Sequence, residues 1–146
     1  MKNLLPHLVL AGALAVAVPS TGCNGSLDAT VEIHATVHVT TTIDVAHVTV
    51  GEAIPMTVVV TNVFLVDPAA TPPTGHTTDA GHLQVYLDDT SSTPLLITAS
   101  ASFSVTVPAA TSMGSHKIVC RVHRHDGTAT TTSFELNFTV TATASG

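Results

Sequence analysis

Branched apolar side chains alternate with polar ones through most of this chain, and that pattern restricts it to extended backbone. Val31, Ile33, Ala35, Val37 and Val39 fall on one side of a first run, with Glu32, His34, Thr36, His38 and Thr40 on the other. A branched Cβ is confined in a helix and packs well on a pleated surface. A period of two then sends every second residue to the same face.

The same reading places the remaining strands. Ile43 to Val50 is a second run, and Ile54 to Val66 a longer one whose centre, Thr57 to Thr61, reads as a strand covered on most of its surface. Asp67 to Gly81 is rich in breakers and aperiodic, long enough to carry function or to move. His82 to Asp88 comes next with Leu83, Val85 and Leu87 inward, then Leu95 to Thr98, then Phe103, Val105 and Val107. Ile118, Cys120 and Val122 are the inward set of the next strand. Asp126-Gly127 makes a hairpin turn, and Phe134, Leu136, Phe138 and Val140 return. One helical turn fits between Ala109 and Met113. About seven or eight short strands at near-regular spacing predict an all-β, two-sheet β-sandwich over residues 31–143.

The N-terminus reads as a targeting segment. Lys2 precedes an apolar run from Leu4 to Val18, broken at Pro6 and His7, and small and polar residues continue to Cys23. The run is shorter than the roughly 20 residues of a membrane span and has the layout of a secretory signal over residues 1–22. Ser20-Thr21-Gly22-Cys23 resembles a bacterial lipobox, with Ser20 where the pattern usually carries Leu. The resemblance implies lipidation of Cys23, a membrane anchor through that lipid and, with Asn24 next, the outer membrane. Cleavage near Ala15-Val16-Ala17 is the alternative, giving a free periplasmic or surface protein. Residues 23–30 then read as a linker.

Beyond Gly22 the chain holds three basic residues, Lys117, Arg121 and Arg124, against ten acids. That balance excludes a nucleic-acid partner, which requires a broad basic surface. With Cys23 acylated, Cys120 has no disulfide partner, and its place between Val119 and Val122 reads as a buried thiol acting as a small hydrophobe.

The closing third carries a more specific likeness. Gly114 to Val122, then Asp126-Gly127-Thr128, then Phe138-Thr139-Val140, resembles the final hairpin of bacterial immunoglobulin-like domains. Such domains end in a Gly-x-His-x-apolar strand, an Asp-Gly type of turn and a Phe-Thr-Val strand. The likeness covers about 30 residues in pattern and implies an immunoglobulin-like sandwich. It leaves function open, since that fold serves many tasks. The paired cysteines and buried Trp of antibody-type domains are missing.

Every Lys and Arg but Lys2 lies between Ser115 and Gly127, together with three of the nine histidines. In immunoglobulin strand order His82 opens a strand that runs beside the end of the one carrying His123 and His125. Parity sends His82, Gln84, Tyr86, Arg121, His123, His125, Glu135 and Asn137 to one outer face. His123 and His125 project the same way roughly 7 Å apart. With His82 they form a candidate Cu(II) or Zn(II) set, completed by His76, Asp79 or Asp126. The plainer reading is a solvated sheet face whose charges pair with Glu135 and Asp88.

Tyr86, Arg121 and Glu135 mark a candidate binding face for an unidentified protein or envelope ligand, Arg being suited to carboxylate. His34 and His38 lie too far apart to share an ion, and His47 and His116 read as structural. A blue-copper site conflicts with an inward Cys120. No nucleophile elbow or phosphate loop is found, so catalysis is not expected. The expectation is a non-catalytic binding or structural module of the cell envelope, with a copper- or zinc-binding protein and an adhesion or self-assembly subunit as alternatives.

Overall fold

A computed structural model describes residues 35–143, and the leader, Cys23 and Val31 to His34 lie outside the described residues. Nine strands succeed one another: β1 (Thr36–Thr41), β2 (Val48–Thr49), β3 (Ala53–Thr61), β4 (Phe64–Leu65), β5 (Ala80–Leu87), β6 (Leu96–Thr98), β7 (Ser102–Thr106), β8 (Gly114–Arg124) and β9 (Ala129–Thr141). Among the described residues there is no helix. One sheet has the order β1-β3-β7, and the other has β2-β9-β8-β5-β4 with β6 also on β5. The larger sheet curls into a half-barrel.

The inward sets meet as the alternation predicts. Val39, Ile54, Met56 and Val58 of one sheet face Leu83, Val85, Ile118, Cys120 and Val122 of the other, all buried. Each aliphatic side chain so covered stabilises the fold by roughly 1.5–3 kcal/mol. Thr36, His38 and Thr40 of β1 are exposed, as their parity requires.

Two runs depart from expectation. Only Val48 and Thr49 of the Ile43 to Val50 run form a strand. The Asp44 carboxylate accepts the Ala46 N–H at 2.9 Å and bonds the His47 ring at 2.8 Å, closing a turn that competes with a ladder. The Ile54 to Val66 run breaks at Asn62 (φ 61°) into β3 and β4, and Val59 is 59% exposed. This central strand is therefore half open rather than covered. Pro55 is tolerated in it because β1 stops pairing at Met56, so among the described residues no strand partner awaits the missing N–H.

The last hairpin closes over Asp126-Gly127, with Gly127 at φ 85° and the Arg124 N–H bonded to Thr128 O at 2.8 Å. A bulge between Arg121 and His123 shifts the β8–β9 register, and the Thr130 hydroxyl bonds Val122 O there at 2.8 Å. Beside β1 the two sheets are tied together: Thr132 Oγ1 donates to Ala35 O at 3.1 Å, and His38 meets Phe134 edge-on at 5.7 Å. On the opposite side the chain passes from β6 to β7 through Ala99 to Ala101.

Candidate functional site

β5 and β8 run antiparallel in a register that sets His82 opposite His123, Gln84 opposite Arg121 and Tyr86 opposite Val119. All six lie on the face turned from the main core, as parity predicts. They are not a solvated face, however. His82 is 2% exposed, Tyr86 4%, Val119 3% and His123 7%, so β5 and β8 are covered on both sides. Period-two reasoning identifies the face opposite the core but not whether that face is covered.

A chain of hydrogen bonds occupies this second layer. Gln84 Nε2 donates to His82 Nε2 at 3.3 Å, Tyr86 O–H donates to Gln84 Oε1 at 2.5 Å, and Tyr86 lies 3.3 Å from His123 Nε2. His123 Nδ1 is 3.1 Å from Gly127 O. A neutral His123 ring donates through Nδ1 and leaves Nε2 to accept, so the one Tyr86 proton faces two acceptors. The shorter contact assigns it to Gln84. The His82 and His123 rings stack with centroids 5.8 Å apart.

His82 accepts through Nε2 and carries its proton on Nδ1, which is buried and, among the described residues, without a partner. Burial, followed by the charges of His123 and His125, holds its imidazole below the ordinary range. His125 lies one residue past β8, its N–H on Ala80 O at 3.0 Å and its own Nδ1 buried and, among the described residues, without a partner. The three histidines do share one side of the β5–β8 pair. Yet among the described residues no group of three His, Cys, Asp or Glu is arranged to hold a metal ion.

The further candidates go elsewhere. His76 bonds Asp79 at 3.0 Å and stacks on Phe64, and the Asp126 carboxylate caps the Thr128 N–H at 2.8 Å. Arg121 turns to Thr130 O at 2.8 Å rather than to Glu135, which pairs instead with Lys117 at 2.7 Å. Such an exposed pair contributes about 0–1 kcal/mol.

A different site emerges at the other end of β8. A groove of about 620 Å³ is lined by Asp88, His116, Lys117, Asn137, Phe138 and Thr139. Asp88 ends β5 at φ 62°. Its carboxylate accepts from His116 Nδ1 at 2.8 Å and from the Lys117 N–H at 3.0 Å. Burial would raise this carboxyl, but the bonds from His116 and Lys117 outweigh it and leave it lowered. Asp88 in turn, with Ser112 O, raises the His116 imidazole against the effect of burial.

Ser112, His116 and Asp88 thus line up in the order of a nucleophile, base and orienting carboxylate. The distances decide against that role: His116 Nε2 is 2.9 Å from Ser112 carbonyl O and 3.4 Å from its hydroxyl. A ring donating from both nitrogens is an imidazolium clamp, not a base. The sequence pairs Asp88 with basic residues but gives no hint of His116, since 28 residues separate the two.

No family model matches the chain, and comparison with curated proteins and with solved structures finds no match either.

Proposed function

We propose that this chain is a non-catalytic binding module with an immunoglobulin-like sandwich, acting in the cell envelope. The observation that carries the reading is the groove beside Asp88, His116 and Lys117. It offers both signs of charge beside Phe138, with Asp88 and His116 held by each other and Lys117 by Glu135. Preorganised, mixed-polarity concavities of this kind suit ligand recognition. The buried His82 and His123 serve the second layer of the sheet in this reading. Export rests on the leader pattern of residues 1–22.

Saturable binding of the full chain to isolated envelope fractions tests it, with Lys117→Glu and Asn137→Ala as groove variants. Equal binding by wild type and variants would overturn it. Mass spectrometry of the exported protein reads the anchor directly: a diacylglyceryl Cys23 supports it, and a free N-terminus near Val18 removes it.

One observation favours a second reading, Cu(II) or Zn(II) at His82, His123 and His125. Among the described residues the Nδ1 of His82 and that of His125 are buried without a partner, and the His82 atom would give up its proton on binding an ion. Titrating either ion into wild type and the His123→Ala/His125→Ala variant separates the readings, since equal affinities eliminate this site.

A further inference from the structure

β7 leaves a sheet edge open, and we infer that a second copy of this chain pairs with it. Val58 N–H donates to Ala101 O at 2.8 Å and Val107 N–H to Glu52 O at 2.9 Å, so the odd-numbered residues of this strand bond β3. Alternation turns the backbone groups of Ser102, Ser104 and Thr106 outward. β7 ends the sheet order, and among the described residues no strand stands on that side. The first outward position is closed internally, because Ser100 Oγ donates to Ser102 O at 2.7 Å and accepts the Ser102 N–H at 3.2 Å. Ser104 and Thr106 remain.

Those two positions define a self-complementary register. Antiparallel pairing about Val105 sets Ser104 opposite Thr106 of the second copy and Thr106 opposite its Ser104. About four backbone hydrogen bonds then form across the two-fold axis. The β1-β3-β7 sheet continues into its own copy. The other end of this sheet is not equivalent, since β1 is tied to β9 through Thr132 and Phe134.

The charge pattern favours a second copy. From Thr90 to Ser115 there is no Asp, Glu, Lys or Arg, in a chain of net charge −6. In this register Val105 meets its own counterpart and Ser104 and Thr106 lie diagonally across from theirs, so any charge there would stand close to a like charge. Edge strands that avoid pairing commonly carry Lys or Pro. β7, Ser-Phe-Ser-Val-Thr, carries neither, and Ser104 and Thr106 are exposed.

The inference needs only the fold and stands apart from the groove reading. Sedimentation of the full chain between about 1 µM and 1 mM is expected to show mass rising toward twice the monomer value. Amide exchange at Ser104 and Thr106 is expected to slow about tenfold as dimer replaces monomer. Ser104→Pro removes one edge N–H without touching a β3 bond, and Thr106→Lys places like charges beside the axis. Each is expected to weaken dimerisation at least about tenfold. A strict monomer throughout overturns the inference, as does a dimer without protection at Ser104 and Thr106. The exchange measurement on wild type holds even where a variant misfolds.

Discussion

The carbonyl oxygen of His123 occupies the space a side chain on Gly81 would need: a Cβ there would lie 2.5 Å from it and 3.1 Å from Val63 Cγ1. The first obstacle is backbone and cannot rotate away. β5 and β8 reach their spacing at this point because residue 81 has no side chain, and the placement of His82 opposite His123 depends on that spacing. Gly81→Ala is expected to cost about 1–3 kcal/mol, the usual penalty of overpacking. A urea midpoint unchanged from wild type would show that the strands separate freely here.

Tyr86 holds the second layer together through one proton. Tyr86→Phe strands Gln84 Oε1 in a half-buried setting and is expected to destabilise by about 0.5–1.5 kcal/mol. Tyr86→Phe/Gln84→Met leaves no polar atom unpaired at that bond but also removes the Gln84 donor from His82 Nε2, so the double variant is expected to lose less than the sum of the two single losses. Additive losses in the double variant would mean that Tyr86 and Gln84 act independently.

Two histidines push stability in opposite directions with pH. His82 is held below its ordinary value of 6.5, so the stability of its neutral form is present above pH 6.5 and is lost as pH falls through its folded value. His116 is raised above 6.5, so the stability of its clamp is full below pH 6.5 and is lost as pH rises through its folded value. Chemical denaturation across pH 5–9 should therefore show a maximum near about 6.5, with each limb no steeper than about 1.4 kcal/mol per pH unit per group. His116→Asn should flatten the alkaline limb alone, and His82→Asn the acid limb alone. An alkaline slope identical in wild type and His116→Asn would show that the clamp to Asp88 does not couple to folding.

Much of this arrangement is legible in the residues. Leu83, Val85 and Leu87, and Ile118, Cys120 and Val122, announce their strands and their inward faces because one face of each meets a core. The burial of His82, Tyr86 and His123 is not legible, since alternation reports only that the two faces differ. The bond from Asp88 to His116 is hidden for another reason: it depends on the β5–β8 register, which no local pattern encodes. Gly81 did leave a signal. A glycine entering a strand marks a close backbone approach, and here it stands at the head of β5 against His123. The run from Ile43 to Val50 fails because Asp44 offers its neighbours a better bond than a ladder would.

Cys120 provides the last check on the core. Its side chain is fully buried, opposite Val85 on one side and Phe134 on the other, and burial pushes its thiol up to about 12. The thiolate is the reactive form, so at pH 8 the folded protein presents almost none of it. Iodoacetamide is expected to leave the Cys120 peptide unmodified under native conditions and to label it fully in denaturant, as read by peptide mass spectrometry. Any slow native labelling should track the fraction of molecules that open, and so should accelerate in Gly81→Ala, where the β5–β8 pair is strained. Rapid labelling of native wild type would place Cys120 outside the packed core and undo the inward assignment of the whole β8 set.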